Sequence, residues 1–439
     1  MFNSGFSFYG FFKSKDLHKR LFFTFSIILF YRFCSYIPLP GINMEAVASI
    51  QSKISSGFFG MFDVFSGGSL SRMSIMALNI APYISSSIIF QLLGSVSPYF
   101  MALKKQGEVG RSKINQYTRL GALVLSVFQG YGLAVYLETV KDVMEIVMFP
   151  GMFFRILSCL IFCASTIIVM WMGEQITSRG IGNGSSIIIY SGIVANLPSS
   201  LISIFNMGKS GQLSVLQVLF IFSIVMFLLS FIVFAERIER EVEIFYSKRQ
   251  VSAKLLKDSS SSKMPIKLNP AGILPPMFAN SVLLLPATML SAFGIEKYSW
   301  GKYIIYSLSH GSNFFTFMYV VLIMFFSSFY ASLVVDPKET TANLKTSGGF
   351  VRGIAPDGRT VKFFEDLIFR LSILGGLYLS IVCVIPEILM SKSLLSLYFS
   401  GTSFVIIVGV AVDFVEKLKT TIISFQYKKL FKKGFGGMF

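Results

Sequence analysis

Polar residues fall in clusters between long apolar runs, and this spacing dominates the chain more than any short period does. A run of roughly 20 apolar residues makes about 30 Å of helix, enough to cross the hydrocarbon core of a bilayer. Ten such runs occur, at about 21–38, 74–96, 117–137, 152–173, 183–204, 213–235, 270–292, 314–335, 367–390 and 395–415. The short alternating segments that a barrel requires do not appear, so helices carry the crossings. Residues 57–71 are apolar but glycine-rich and too short to cross, which predicts a partly inserted or re-entrant segment ahead of the second run.

Composition agrees with this pattern. Of 439 residues, 53% are hydrophobic and 14% charged, and the mean hydropathy of +0.67 lies far outside the soluble range. Lys13, Lys15, Lys19 and Arg20 precede the first run, and no small-residue cleavage pattern follows it, so the run reads as an uncleaved first span. Cys34, Cys159, Cys163 and Cys383 all sit inside apolar runs, where packed thiols are expected rather than a disulfide framework or a zinc site.

Charge sets the expected orientation. The N-tail, the C-tail and the loops after the even-numbered spans carry 30 of the 39 Lys and Arg residues, and the other side carries 8. Acids divide 15 to 7, which leaves about +15 on one side and +1 on the other. By the positive-inside rule both termini are cytoplasmic. The chain is then expected to divide into a tail (1–20), a half with spans one to five (21–204), a half with spans six to ten (213–415) and a basic tail (416–439). Two long loops, 236–268 and 336–366, face the cytoplasm, and loops of this length are usually functional. Because five is odd, any repeat relating the halves is inverted in the membrane. The second span of each half is the one broken by proline, Pro82 in one and Pro270, Pro275, Pro276 and Pro286 in the other, which points to a pathway between the halves.

Candidate chemistry is sparse. Arg32 and Asp413 are the main ionisable residues within spans, and snorkelling or pairing accounts for both. His18 and His310 are far apart in the topology, which leaves no nucleophile and base pair and no metal site. Gly208-Lys209-Ser210 follows Ser203 where a phosphate-binding loop needs Gly, so it reads as a turn. No enzyme, metal or cofactor is expected. Rings of charge or carbonyls, which a hydrophilic channel would need, are missing, so the path is read as dry.

Several motifs then stand in a telling order. Phe65-Ser-Gly-Gly-Ser-Leu-Ser-Arg72, Pro82-Tyr-Ile-Ser85 and Ile88-Ile-Phe-Gln-Leu-Leu93 are followed by Gly107-Glu-Val-Gly-Arg-Ser-Lys-Ile-Asn-Gln-Tyr-Thr-Arg119. After them come Gly173-Glu-Gln-Ile-Thr-Ser-Arg-Gly-Ile-Gly-Asn-Gly184, Asn269-Pro-Ala-Gly-Ile-Leu-Pro275, Asp336-Pro-Lys-Glu-Thr340 and Gly401-Thr-Ser403. The set resembles the SecY family, the central subunits of the bacterial protein-conducting channel. The resemblance implies an all-α polytopic fold of ten transmembrane helices, in two inverted, pseudo-symmetric five-helix halves that form an hourglass channel. It implies a plug at about 57–72, with Phe65, Gly67, Gly68, Leu70 and Arg72, and a pore ring of Ile80, Ile84, Ile189, Ile193, Met277 and Ile406. Each ring side chain taken alone is equally consistent with helix packing. A lateral gate between spans two and seven would use Ser85, Ser86, Gln91 and Asn280, and Gly67 and Gly68 would hinge the plug.

The implied function is translocation of unfolded secretory polypeptides and lateral release of hydrophobic segments, driven by a partner. Implied partners are the SecE and SecG subunits, the SecA ATPase, the ribosome, preproteins with their signal sequences, and membrane lipids, with no specific nucleic acid besides ribosomal RNA. Lys248, Arg249, Lys254, Arg352 and Arg359 would form the docking loops. A secondary transporter with inverted repeats is the competing reading, and the scarcity of embedded charge argues against it. An intramembrane enzyme lacks a nucleophile. Two positions depart from the family pattern: Asn79 stands where Gly is usual, and Ala355 where an important Arg is typical.

Overall fold

The computed structural model describes residues 15–47, 63, 66–139, 147–211, 214–246, 262–292, 307, 312–351, 353–354, 358–392 and 401–435. The first half contains α1 (Lys15–Cys34), α2 (Ala81–Val96), α3 (Pro98–Lys105), α4 (Glu108–Thr139), α5 (Met152–Arg179) and α6 (Gly184–Lys209). The second contains α7 (Val215–Glu236), β1 (Glu239–Tyr246), β2 (Ser262–Lys267), α8 (Leu274–Ala292), α9 (Asn313–Val334), α10 (Pro337–Thr346), β3 (Gly349–Val351), α11 (Gly358–Lys392) and α12 (Gly401–Phe435).

Six helical stretches among the described residues are long and apolar enough to cross a membrane: Glu108–Glu138, Met152–Arg179, Gly184–Lys209, Val215–Glu236, Asn313–Thr346 and Gly358–Ile388. The pair α2 and α3, bent by 94° at Ser97, makes a seventh, and α1, α8 and α12 lie on the three remaining expected runs. The chain is therefore a multi-pass helical membrane protein. α7 illustrates the lipid-facing extreme, with Leu216, Leu219, Phe220 and Phe227 all exposed.

Several helices begin where a motif supplies a cap. Asp336 accepts from the backbone N–H of Lys338 at 2.9 Å and Pro337 opens α10, while Asn183 accepts from Ser185 N–H at 3.3 Å to start α6. Ser214 and Gln217 form a reciprocal capping box on α7. The expected run 74–96 is helical only from Ala81, because Met73 (φ 45°) and Asn79 (φ 49°) take left-handed conformations that a helix cannot continue through. Pro82 thus sits in a first turn, where its missing N–H has no helical partner to lose. Pro275 and Pro276 open α8 in the same way.

The halves are joined through the segment between α6 and α7, and α6 packs on α7 and α12 at that seam. At the other seam α8 packs on α2 and α4. Inside the halves, α4 packs with α2 and α5, and α9 with α8 and α11. On the weakly charged side, Arg155 bonds Glu138 at 2.6 Å and ties α5 to α4.

The two long loops on the basic side contribute strands. They form a three-stranded antiparallel sheet in the order β2-β1-β3, with Glu239 opposite Lys267, and Ile244 opposite both Ser262 and Val351. The sequence reading missed this sheet, although the signal is present: Val242 and Ile244 alternate with Glu239, Glu241 and Glu243. Their buried faces join Leu344, Phe364 and Ile368 in a small core beneath the sheet. Phe364 is fully buried there, so Phe364→Ala is expected to cost about 3–5 kcal/mol. A thermal-unfolding midpoint in detergent that stays at the parent value would rule out a supporting role for this core.

Candidate functional site

The residues read as a pore ring fall in one apolar cluster. Ile80 ends the turn segment before α2, Ile84 lies in the first turn of α2, and Ile189 and Ile193 lie on α6. Met277 lies in the first turn of α8 and Ile406 in the second turn of α12. All belong to one apolar cluster drawn from both halves, with Ile84 at its partly buried edge. Ile80, Ile189, Ile193 and Ile406 are at most 2% exposed and Met277 is 9% exposed. Five of the cluster's side chains at this level are β-branched isoleucines, stiff at χ1, and the methionine is the deformable member.

The described part of the segment read as a plug is tied together by polar side chains. Asp63 is its hub: the carboxylate accepts from the Ser71 backbone N–H at 2.8 Å and from the Ser71 hydroxyl. Ser66 Oγ accepts from Leu70 N–H at 3.2 Å, and Ser69 Oγ donates to the Ser66 carbonyl at 2.8 Å. Leu70 and Met73 turn into a second apolar cluster with Leu39, Leu133, Phe154 and Phe162, which glues the segment to α4 and α5. Its trailing end pairs with the stretch after α1, where Leu39 N–H donates to Met73 O and Ile75 N–H to Ile37 O, both at 2.9 Å.

Gly67 and Gly68 have φ of 70° and 79°, a region that favours glycine. A Cβ on Gly67 would lie 2.6 Å from Arg32 Nη1 and 2.8 Å from the Gly192 carbonyl oxygen, so close approach requires glycine as well. Arg32 donates to Gly67 O at 3.5 Å and to the Ser191 carbonyl of α6. Arg72 donates to the same Gly67 carbonyl at 3.0 Å and stacks its guanidinium 4.3 Å over the Tyr36 ring. Arg32 therefore has carbonyl partners rather than a snorkelling position. Sequence reasoning noticed the charge, but its partners lie 35 and 159 residues away.

The four polar residues read as gate contacts have separate places. Ser86 donates to the Thr118 carbonyl of α4 at 2.7 Å, and Gln91 Nε2 donates to Ser87 Oγ on its own helix at 3.0 Å. Ser85 is buried, and Asn280 is buried on α8 beside the Tyr319 hydroxyl of α9. α8 packs on α2, and Ile88, Phe278 and Ala279 belong to the same large apolar cluster, in which the Phe278 ring packs on Phe326 and Tyr330 of α9. Phe65, Lys248, Arg249, Lys254, Arg352 and Ala355 lie outside the described residues, whereas Arg359 is exposed in the first turn of α11.

One cluster escaped the sequence reading. Glu236, buried at the end of α7, accepts from Asn269 Nδ2 at 3.1 Å and from the Tyr378 hydroxyl at 3.3 Å. Asn269 Nδ2 also donates to Gly272 O at 2.9 Å, which fixes the turn that launches α8. Nearby, Lys267 Nζ bonds Glu416 at 2.8 Å and lies 4.0 Å from Asp413. Burial pulls the Lys267 ammonium down, but the hydrogen bond and charge of Glu416, with Asp413 and Glu236, outweigh it and hold its pKa above the ordinary value.

Asn79 is buried next to Ile80 and occupies a left-handed conformation, which explains why this position suits Gly or Asn. Asn79→Gly is expected to keep the fold and to lower ion leak through the reconstituted closed protein, by removing a polar group beside the constriction. Asn79→Val is expected to cost about 1–3 kcal/mol and reduce folded yield. An Asn79→Gly leak equal to that of the parent, measured as bilayer conductance, would show that this side chain does not wet the constriction.

Comparison with known proteins gives consistent matches. The family model described as SecY matches residues 74–415. The chain is 43% identical over 421 residues to the protein translocase subunit SecY of Rickettsia bellii, covering 96% of this chain and 97% of that one. It is 41% identical over 419 residues to that of Escherichia coli K12, covering 95% and 94%. Among solved structures, a protein-conducting channel superposes with a TM-score of 0.68 at 14% identity over 93% of each chain. Sec61 from a canine ribosome-channel complex of the endoplasmic reticulum gives 0.62 at 15% identity, again over 93% of each chain.

Proposed function

The chain belongs to the SecY family, and from that footing we propose that it is a protein-conducting channel subunit rather than an enzyme. It passes unfolded secretory polypeptides between its two halves and releases hydrophobic segments sideways into lipid. The observation that carries this reading is the single apolar cluster in which Ile80, Ile189, Ile193, Met277 and Ile406 meet from both halves, directly beside a plug segment seated on α6. A ring of this kind yields to a passing chain without selecting its sequence, and it reseals by dewetting once the chain has left.

Lateral release follows from the unequal seams. Helices in lipid gain nothing from hiding apolar surface from each other, so an apolar seam between α2 and α8 separates at modest cost. The seam at α6 and α7 is closed by the chain itself. In this reading Ser85, Ser86, Gln91 and Asn280 line the gate and exchange helix partners as it opens. The chain lies in the bacterial inner membrane with both termini cytoplasmic, in keeping with the charge asymmetry. The basic loops, with Arg359 and the positions around 248–254 and 352, dock the motor. The partner is a ribosome, as in the Sec61 and Ssh1 assemblies, or the SecA ATPase, with SecE and SecG as companion subunits.

The test is photo-crosslinking from a secretory precursor arrested in reconstituted membranes, with the reactive residue in mid-chain. Adducts at Ile84 and Ile189 are expected. Absence of adducts from the stalled precursor, together with saturable uptake of a small solute, would overturn the channel reading in favour of a transporter.

A further inference from the structure

Arg32 is the feature that the channel reading leaves unexplained. A guanidinium within an apolar span is costly unless it is partnered, and a span needs no charge at this point to cross a bilayer. Besides the Tyr31 ring beside it on α1, 5.5 Å from the guanidinium, its hydrogen-bond partners lie on other elements. One is the Gly67 carbonyl in the plug segment and the other is the Ser191 carbonyl of α6, which falls between the ring positions Ile189 and Ile193. A second tie runs between the same two elements: in the amide orientation that satisfies both groups, Asn196 Nδ2 donates to Gly67 O at 3.2 Å and Oδ1 accepts from Gly68 N–H at 3.1 Å. Gly192 O, one turn away, packs against the Gly67 α-carbon. Plug, first span and ring helix thus meet at one glycine.

We propose that Arg32 is a positioning residue that latches the plug to α6, so that outward movement of Ile189 and Ile193 by an entering polypeptide breaks the Arg32 bridge and frees the plug. The bridge is suited to a latch because its two acceptors belong to elements that move independently. Moving α6 withdraws the Ser191 and Asn196 contacts together, while the guanidinium, facing the opened pathway, regains water in exchange. The bond from Arg72 to Gly67 connects two residues of the plug segment itself and travels with it, so it does not replace the latch. This inference rests on the channel reading.

The experiment follows plug exposure through Leu70→Cys, a buried plug position, in right-side-out membrane vesicles treated with a membrane-impermeant maleimide, with sites resolved by peptide mass spectrometry. The buried native Cys383 on α11 reports general loosening. With Arg32 intact, labelling is expected to be slow in idle channels and fast when an arrested precursor occupies them. Arg32→Gln is expected to raise the idle rate about tenfold, the size expected for losing a hydrogen bond to a charged group, with little further rise on occupation. Arg32→Lys, which keeps the charge but presents one nitrogen in place of the two that reach separate carbonyls, should fall between, and Asn196→Ala should give a partial increase. An idle rate unchanged in both Arg32 variants overturns the latch, as does a parallel rise at Cys383. The idle comparison does not depend on the precursor, so failure of the latch is distinguishable from failure of crosslinking at Ile84 and Ile189.

Discussion

A backbone N–H or C=O that meets neither water nor a partner costs several kcal/mol in hydrocarbon, and the rest of this structure is arranged around one segment that makes that problem acute. Residues 67–80 run through the helix bundle without forming a helix. Their polar groups are met locally, by turn bonds such as Met73 N–H to Leu70 O at 2.8 Å and Asn79 N–H to Met76 O at 3.0 Å, and by pairing with residues 37–39. Side chains supply the remainder. The serines at 66, 69 and 71 and the carboxylate of Asp63 stand in for missing helical partners, and two arginines share the carbonyl of Gly67. A segment with this many local partners can lie inside a membrane protein and still lack the internal ladder that would make it a permanent span.

The same constraint explains where the prolines and caps fall. An irregular segment has to end by starting a helix cleanly, and Pro82 and the Pro275-Pro276 pair do so at α2 and α8. Residues that look like breaks in a span are the first turns of shorter helices. Because α2 and α8 begin at irregular segments, their opening turns reach the space between the halves and bring Ile84 and Met277 to it. The apolar ring and the polar plug seat therefore arise from one choice of backbone: irregular chain feeding into a helix.

Much of this was legible in the sequence and some was not, for reasons of range. Apolar runs of the right length located the helices because burial in lipid is decided locally, residue by residue. The ring positions came from family resemblance, since an isoleucine on a helix carries no mark of what it faces. Long-range partners were invisible: Arg32 to Ser191 and Glu236 to Tyr378 each bridge more than 140 residues. The sheet was missed for a different reason. Val242 and Ile244 alternate with glutamates as a half-buried strand should, but in a loop dense with charge the alternation was read only as topogenic and docking charge. Asn79 stood out only as a departure from the family's usual Gly, and its φ of 49° shows that backbone conformation governs the position first.

The two halves meet the same requirement with opposite chemistry, and the difference separates their roles. Before α8, the irregular stretch at 268–273 is short, and an acceptor anchors it: Glu236 holds the Asn269 amide, which in turn bonds Gly272 O. That carboxylate ends a helix of the same half, so the anchor has no reason to part when the halves separate. Before α2, the irregular stretch is longer, and donors anchor it: Arg32 and Asn196 reach its carbonyls from α1 and α6. α6 is also a wall of the ring, so this anchor is strained by whatever widens the constriction. A short segment fixed within its own half is held independently of the other half. A long segment fixed to α6 is tied to that helix, as the proposed latch requires.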